Sequence, residues 1–293
     1  MTQATRFRVK RGGAPALRLL RSEVPLRLAA VFERSFYLES GGAFACLGAS
    51  RIGLGPLNAV LDAPEDTNWP ASGLTLETRC LRASHAIHLG PRFVLSLEEA
   101  SLWHPEAPPA RPDPAAVARV LQDVQDVCAR HCALHDLAVG RTGMAGAGRW
   151  LAAVLAGAPA GEGDDMSWVQ ALIGLGPGLT PSGDDFIGGI LIALHVLGHT
   201  VPARLLAKTA LAAAAPGTTA ISAAHLAAAG EGQGSAALHA LLNDVLCGRH
   251  MDLETRLAAV GRIGHTSGWD TLAGSLAVLD AWLAGTAARR SAA

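Results

Sequence analysis

The chain has 293 residues, half of them hydrophobic and 17% charged, with a net charge of −1. That size and composition support a sizeable core in one or two domains and exclude an intrinsically disordered chain. The charge balance gives no electrostatic basis for nucleic acid or an anionic membrane as main partner. With only Lys10 and Lys208 beside 22 arginines, a Schiff-base or Walker-lysine mechanism has few places to sit.

From the N-terminus, residues 1–104 read as a β-rich domain. The predicted strands are Thr5–Val9, Ala30–Tyr37, Ala43–Leu47, Leu74–Thr78, Ala86–Leu89 and Phe93–Leu97, separated by Gly and Pro signals such as Gly41-Gly42, Gly53-Leu-Gly-Pro56 and Gly90-Pro91. Short strands at this spacing predict a small antiparallel sheet or partly closed barrel. Residues 105–114 hold five prolines in ten positions and read as a linker.

Residues 115–293 read as an α-helical domain. Asp113-Pro114 has the form of an N-cap followed by a first-turn proline. The predicted helices are Pro114–Leu137, Gly148–Ala156, Met166–Ile173, Asp184–Leu197, Pro202–Ala214, Thr219–Ala229, Ser235–Leu246, Asp252–Val260 and Gly268–Ala284, many followed by a capping glycine. The fold class expected is therefore α+β: a small β-rich N-terminal part followed by a larger α-helical one.

No secretory h-region opens the chain, and the apolar run around Ile187 to Leu197 is short of the ~18–20 residues that span a bilayer. Five cysteines, an odd number without framework spacing, suit a reducing compartment. The expectation is a cytoplasmic protein with no membrane or nucleic-acid partner.

The densest chemistry lies in Gly174-Leu-Gly-Pro-Gly-Leu-Thr-Pro-Ser-Gly-Asp-Asp-Phe-Ile-Gly-Gly189, at the start of a predicted helix. Glycines there allow close backbone approach, and unpaired first-turn amides suit an anion. The run is no dinucleotide fingerprint, since it follows a helix-like segment and contains Pro177, and no lysine completes a Walker loop. The pattern S-G-x-D-x-x-x-G recurs 85 residues later: Ser182, Gly183, Asp185 and Gly189 align with Ser267, Gly268, Asp270 and Gly274. Each serine is placed to accept a first-turn amide, and each aspartate to oppose the helix dipole. Two such motifs, flanked by Thr180 and His265, predict that two helix starts converge on one site. A duplication used only for packing is the competing reading. Pro216-Gly-Thr-Thr-Ala-Ile-Ser222, followed by His225, is a third hydroxyl-rich start that either lines the same pocket or is simply capped.

Asp184 and Asp185 are candidates for Mg²⁺, although consecutive helical residues point about 100° apart and do not readily chelate one ion. Cys128, His131, Cys132 and His135 share one helix face, the geometry of a packed stripe and not of a tetrahedral zinc site. His195 and His199 read the same way.

Residues 176–188 and 264–274 resemble the two signatures of the AllH family, and the segment around Phe32 to Leu61, with Gly55-Pro56, resembles a third family feature. The resemblance implies one subunit of an oxamate carbamoyltransferase system of allantoin (purine) catabolism, which interconverts oxalurate and phosphate with oxamate and carbamoyl phosphate. It implies an FdrA-type subunit and a further subunit as companions, and so an oligomer. On that reading the backbone of Gly176, Gly178, Gly183, Asp184, Thr266 and Gly268 and the hydroxyls of Thr180, Ser182, Ser222 and Ser267 hold a small anionic substrate. Asp185 and Asp270 position the carbamoyl NH₂, and His265 donates to an oxyanion or moves a proton. No resident metal or cofactor is required, Mg²⁺ being optional. Two other readings stay open: a non-catalytic assembly subunit whose Gly-rich loops dock partner chains, and a Mg²⁺-dependent phosphoryl-transfer or hydrolytic enzyme using Asp184 and Asp185.

Overall fold

A computed structural model describes residues 4–132, 138–161, 163–250 and 252–292. The chain divides into two compact units, Met1–Pro105 and Glu106–Ala293. It is 49% helical and 15% strand, with the strands confined to residues 5–102, so the α+β expectation holds.

In the first unit the strands are β1 (Thr5–Gly12), β2 (Arg27–Val31), β3 (Ser35–Ser40), β4 (Ala43–Gly48), β5 (Asn58–Leu61), β6 (Cys80–Ala83), β7 (Ala86–Leu89), β8 (Phe93–Ser96) and β9 (Ser101–Leu102). They form one sheet in the order β2-β3-β4-β5-β1-β8-β7-β6, with β9 alongside β1. The sheet is mixed, not antiparallel: β1 runs parallel to β8 and β9, and β4 runs parallel to β5. Trp69, fully buried, is the hub of its aromatic core, edge-on to Phe36 at 4.8 Å, Phe7 at 5.5 Å and Phe93 at 6.1 Å.

Three sequence expectations change in this unit. Ala30–Tyr37 is two strands, because the chain reverses at residues 32–34 and Phe32 N–H donates to the Ser35 carbonyl. Leu74–Thr78 is a turn, closed by Thr78 N–H on the Thr75 carbonyl and by Thr75 N–H on Thr78 Oγ1; the strand lies at β6. Helix α1 (Ala14–Arg21) is not among the expectations, yet it presents Ala16, Leu17, Leu19 and Leu20 to the core at helical spacing. Its entry depends on Gly13, where a Cβ would stand 2.3 Å from both the Gly55 and Pro56 carbonyl oxygens.

The helices of the second unit are α2 (Pro114–Ala129), α3 (Ala138–Ala156), α4 (Ser167–Leu172), α5 (Ser182–Val196), α6 (Thr200–Gly217), α7 (Ala220–Gly230), α8 (Ala236–Leu246), α9 (Leu253–Val260) and α10 (Ser267–Ala292). Asp113 caps α2, its side chain accepting from Ala115 N–H at 3.2 Å. Helix α2 ends at Ala129 with Arg130 as its C-cap, short of the predicted Leu137, and residues 133–137, His135 among them, lie outside the described residues. Helix α3 starts ten residues ahead of its predicted start because its glycines serve packing: Gly143 faces Leu172 and Gly146 faces Trp168, with no room for a Cβ at either.

Helix α5 is buried along most of its length, from Phe186 to Leu194. It crosses α10 with backbone against backbone. A Cβ at Gly189 would lie 1.8 Å from the Thr271 carbonyl oxygen, and one at Gly274 would lie 1.9 Å from that of Phe186. Phe186 and Thr271 are themselves equivalent in the repeat, so the crossing has approximate two-fold symmetry. By length and composition α10 is apolar enough to cross a membrane; in the fold its buried Leu272, Leu276 and Leu279 join the same core as α5.

Candidate functional site

The duplicated motif is a structural repeat as well as a sequence one. A short helix, a glycine-rich loop and an S-G-x-D helix occur as α4–α5 and again as α9–α10. In each copy the motif glycine lies against the end of the preceding helix: a Cβ at Gly183 would stand 1.9 Å from Leu172 O, and one at Gly268 would stand 2.0 Å from Val260 O. Only glycine fits there, so each S-G step pins the start of its long helix to the short helix before it.

The two starts meet. Thr180 Oγ1 and Ser267 Oγ are 2.8 Å apart, a hydrogen bond in which either hydroxyl can donate. Asp185 lies beside them, and both hydroxyls favour its charged form. Burial, the largest effect, outweighs them, and with the smaller contributions of the Asp270 and Asp184 charges it holds the Asp185 carboxyl well above the usual carboxylate range. As a residue Asp185 is half-buried, but its Oδ2 is buried and has no hydrogen-bond partner among the described residues. The Asp185 carboxyl, with its pKa raised, thus stands beside the Thr180–Ser267 hydroxyl pair.

Asp270, its equivalent in α10, is fully buried and accepts from Cys132 Sγ at 3.3 Å. Cys128 Sγ lies 3.5 Å from the Trp269 carbonyl, and burial, ahead of the Cys132 and Asp270 charges, pushes its thiol far above the ordinary value. These two cysteines are buried packing residues, while His131 is exposed and stacks on Trp269 with ring centroids 4.6 Å apart.

Asp184 points elsewhere. Its Oδ1 accepts from Gly174 N–H at 2.8 Å, and its Oδ2 accepts from Ser222 Oγ at 2.6 Å and from Thr218 Oγ1. The residue is 2% exposed. Asp184 therefore clamps the Gly-rich loop to the junction of α6 and α7, assisted by Thr219, whose hydroxyl caps α7 and donates to the Leu179 carbonyl at 2.5 Å. Ser222 belongs to this clamp. With both oxygens of Asp184 occupied by protein donors, the Asp184–Asp185 pair does not present a shared chelate, and no group of three His, Cys, Asp or Glu side chains suited to a metal occurs among the described residues.

The serines do not cap. Ser182 and Ser267 are the first residues of their helices, and α5 has Pro181 at its N-cap with no side-chain cap. Three first-turn amides of α5 are already used: Gly183 N–H bonds Leu175 O, and those of Asp184 and Asp185 bond Pro181 O. In the second copy Gly268 N–H bonds Ile263 O, and those of Trp269 and Asp270 bond Thr266 O. Anion capture by these amides, expected from the sequence, is replaced by internal carbonyls. Gly176 and Gly178 sit at φ 113° and 96°, in the left-handed region, and shape the loop ahead of Ser182. Ser182 is buried, Thr266 half-buried, and His265 exposed on the loop before α10, with no hydrogen bond to the carboxylates among the described residues.

Sequence reasoning missed the clamp role of Thr218, whose place after Pro216-Gly217 is its only signal, and the approach of Cys132 to Asp270. Two described cavities lie away from the motif residues, one against α3 and α4 and one between α3, His199 and Arg289.

No curated protein and no solved structure matches the chain. Residues 172–279, which hold both motif copies and the clamp, match the family model described as oxamate carbamoyltransferase subunit AllH, and over that region the chain carries the AllH family pattern.

Proposed function

We propose that this chain is a cytoplasmic subunit of an oxamate carbamoyltransferase-like complex of allantoin catabolism, and that the paired starts of α5 and α10 bind its small anionic substrate. The observation that carries the reading is the 2.8 Å Thr180–Ser267 contact beside Asp185, inside the segment that matches the family. With three first-turn amides of each helix bonded to internal carbonyls, the ligands in this reading are side chains. The hydroxyls of Thr180 and Ser267 orient a carboxylate, carbamoyl or phosphate group, and the neutral Asp185 carboxyl donates to one of its oxygens. An ionised Asp185 next to Asp270 would repel the same group, so protonation is part of binding. Companion subunits, one of them FdrA-type, complete the system.

The test is a thermal-shift titration of the protein with carbamoyl phosphate, oxamate, oxalurate and phosphate, repeated with Ser267→Ala. Stabilisation that the variant loses supports the reading. No stabilisation by any of the four, with carbamoyl transfer by the assembled complex unaffected by Ser267→Ala, overturns it.

The occupied amides favour a second reading, in which the motifs serve assembly and the Gly-rich loops dock a partner chain. Silence toward all four anions, with loss of complex formation in Ser267→Ala, selects that one. Divergence of Asp184 and Asp185 speaks against a shared Mg²⁺ site; stabilisation that needs Mg²⁺ would restore it.

A further inference from the structure

The cleft between the end of α3 and the start of α6 is used by nothing in the reading above. It measures about 330 Å³, within the range of pockets that take small organic molecules. Val154, Leu155, Ala158, Ala160, Val201 and Pro202 make most of its wall apolar. Two polar side chains interrupt that wall, His199 at the N-cap of α6 and Arg289 near the end of α10, and no carboxylate among the described residues lines it.

Arg289 is exposed to solvent, yet its guanidinium is held in place. Its Nη1 donates to the Leu155 carbonyl at 2.5 Å and its Nη2 to Thr286 Oγ1 at 3.3 Å. A guanidinium carries five N–H donors, so three remain, and none of them meets a carboxylate among the described residues. A cation oriented by neutral acceptors keeps its charge for a ligand. His199 is half-buried, and its ring makes no hydrogen bond among the described residues. Burial first, then the charge of Arg289, lowers the His199 pKa, and Arg289 is the only charged group among the described residues that acts on the ring. The neutral imidazole therefore adds an N–H donor beside the guanidinium without adding a second charge.

These groups select among ligands. Arg289 repels a cation. A phosphate dianion finds one cation for two charges, and its oxygens lose water against an apolar wall. A monocarboxylate with an apolar body satisfies both parts of the cleft. Its planar pair of oxygens suits the guanidinium fork and the imidazole N–H, and its body covers the aliphatic wall. Oxamate and carbamoyl phosphate have no such body.

We propose that the α3–α6 cleft binds a small organic monocarboxylate, its carboxylate on Arg289 and His199 and its apolar body on Val154, Val201 and Pro202. This site is separate from the paired motif: none of its residues takes part in the Thr180–Ser267 contact or in the Asp184 clamp.

The experiment is isothermal titration of the full chain with benzoate, with its neutral isostere benzamide and with oxamate and phosphate as controls. Arg289→Gln removes the charge at an exposed position; His199→Gln keeps an N–H donor that cannot titrate. Expected is saturable binding of benzoate and of none of the controls, weakened about tenfold in Arg289→Gln. A bound anion favours the imidazolium, so wild-type affinity rises several-fold from about pH 8 to about pH 6, and His199→Gln binds without that rise. The benzoate–benzamide pair and His199→Gln keep the question answerable if Arg289→Gln folds poorly. Absence of saturable benzoate binding, equal binding of benzamide, or affinity unchanged by Arg289→Gln would overturn the proposal.

Discussion

Gly189 and Gly274 hold equivalent positions at the crossing of α5 and α10, each facing a carbonyl oxygen of the other helix, Thr271 for the first and Phe186 for the second. Ser275 reinforces the contact by donating from Oγ to the Gly189 carbonyl at 3.0 Å. This backbone-on-backbone crossing brings the two S-G-x-D starts to the same end of the pair, so the geometry of the candidate site depends on two residues that carry no chemistry. Alanine at either glycine forces the helices apart. Urea unfolding is expected to show a loss of at least ~2 kcal/mol for Gly189→Ala and for Gly274→Ala, in the upper part of the overpacking range. A loss within ~0.5 kcal/mol would mean that the crossing is not close.

The Asp184 clamp gives a second prediction. Its carboxylate satisfies one amide and two hydroxyls in a buried setting. Asp184→Ala strands all three donors and is expected to cost about 3 kcal/mol, whereas Ser222→Ala removes one bond and costs about 1–2 kcal/mol. Mg²⁺ is expected to leave the melting temperature of the wild type unchanged, because the clamp occupies both oxygens. A metal-dependent rise abolished by Asp184→Ala would contradict this account.

Asp185 sets a pH dependence of opposite sign to that of an ordinary carboxylate. Its folded pKa lies above the unfolded value, so its contribution to stability is fully present below about pH 4 and is lost as pH rises through the elevated folded value. Asn in its place keeps a neutral side chain at every pH. Asp185→Asn is expected to melt with the wild type near pH 4 and above it at pH 8, each ~1 kcal/mol appearing as roughly 2–4 °C. Equal melting temperatures at pH 8 would show that Asp185 ionises freely.

His239 works in the other direction. It is 8% exposed, its Nε2 accepts from Gly234 N–H at 3.1 Å, and burial pushes its pKa down to about 4. Stability that depends on the neutral ring is present above about pH 6.5 and is lost as pH falls toward 4. His239→Gln, which retains an acceptor, is expected to lose about 2 kcal/mol less than the wild type between pH 7.5 and pH 5 in urea unfolding. An unchanged difference would locate the acid sensitivity elsewhere.

Much of the helical unit is legible in the sequence because apolar periodicity and glycine stops mark one helix at a time. The 85-residue offset was legible too, since capping-like S-G-x-D steps, close-packing glycines and apolar helices repeat in order. Sheet topology was not: whether β1 pairs parallel with β8 or antiparallel with it depends on distant segments, and alternation within Thr5–Gly12 carries no partner's name. Helix α1 is hidden by Gly12-Gly13 and Pro15, which read as breakers but here shape its entry. At the site, the hydroxyls and carboxylates of Thr180, Asp185 and Ser267 were visible as types. Their division of labour was not, because it depends on which carbonyls reach the first-turn amides and on Asp184 turning toward α7.

The central claim is that two motif copies form one binding site through Thr180 and Ser267. A double-mutant cycle on carbamoyl phosphate binding, measured by isothermal titration for the wild type, Thr180→Ala, Ser267→Ala and the double variant, tests it most directly. The account predicts that each single change weakens binding several-fold and that the double variant is little worse than either, since both disrupt one shared contact. Independent, multiplying effects, or binding that neither change alters, would contradict it.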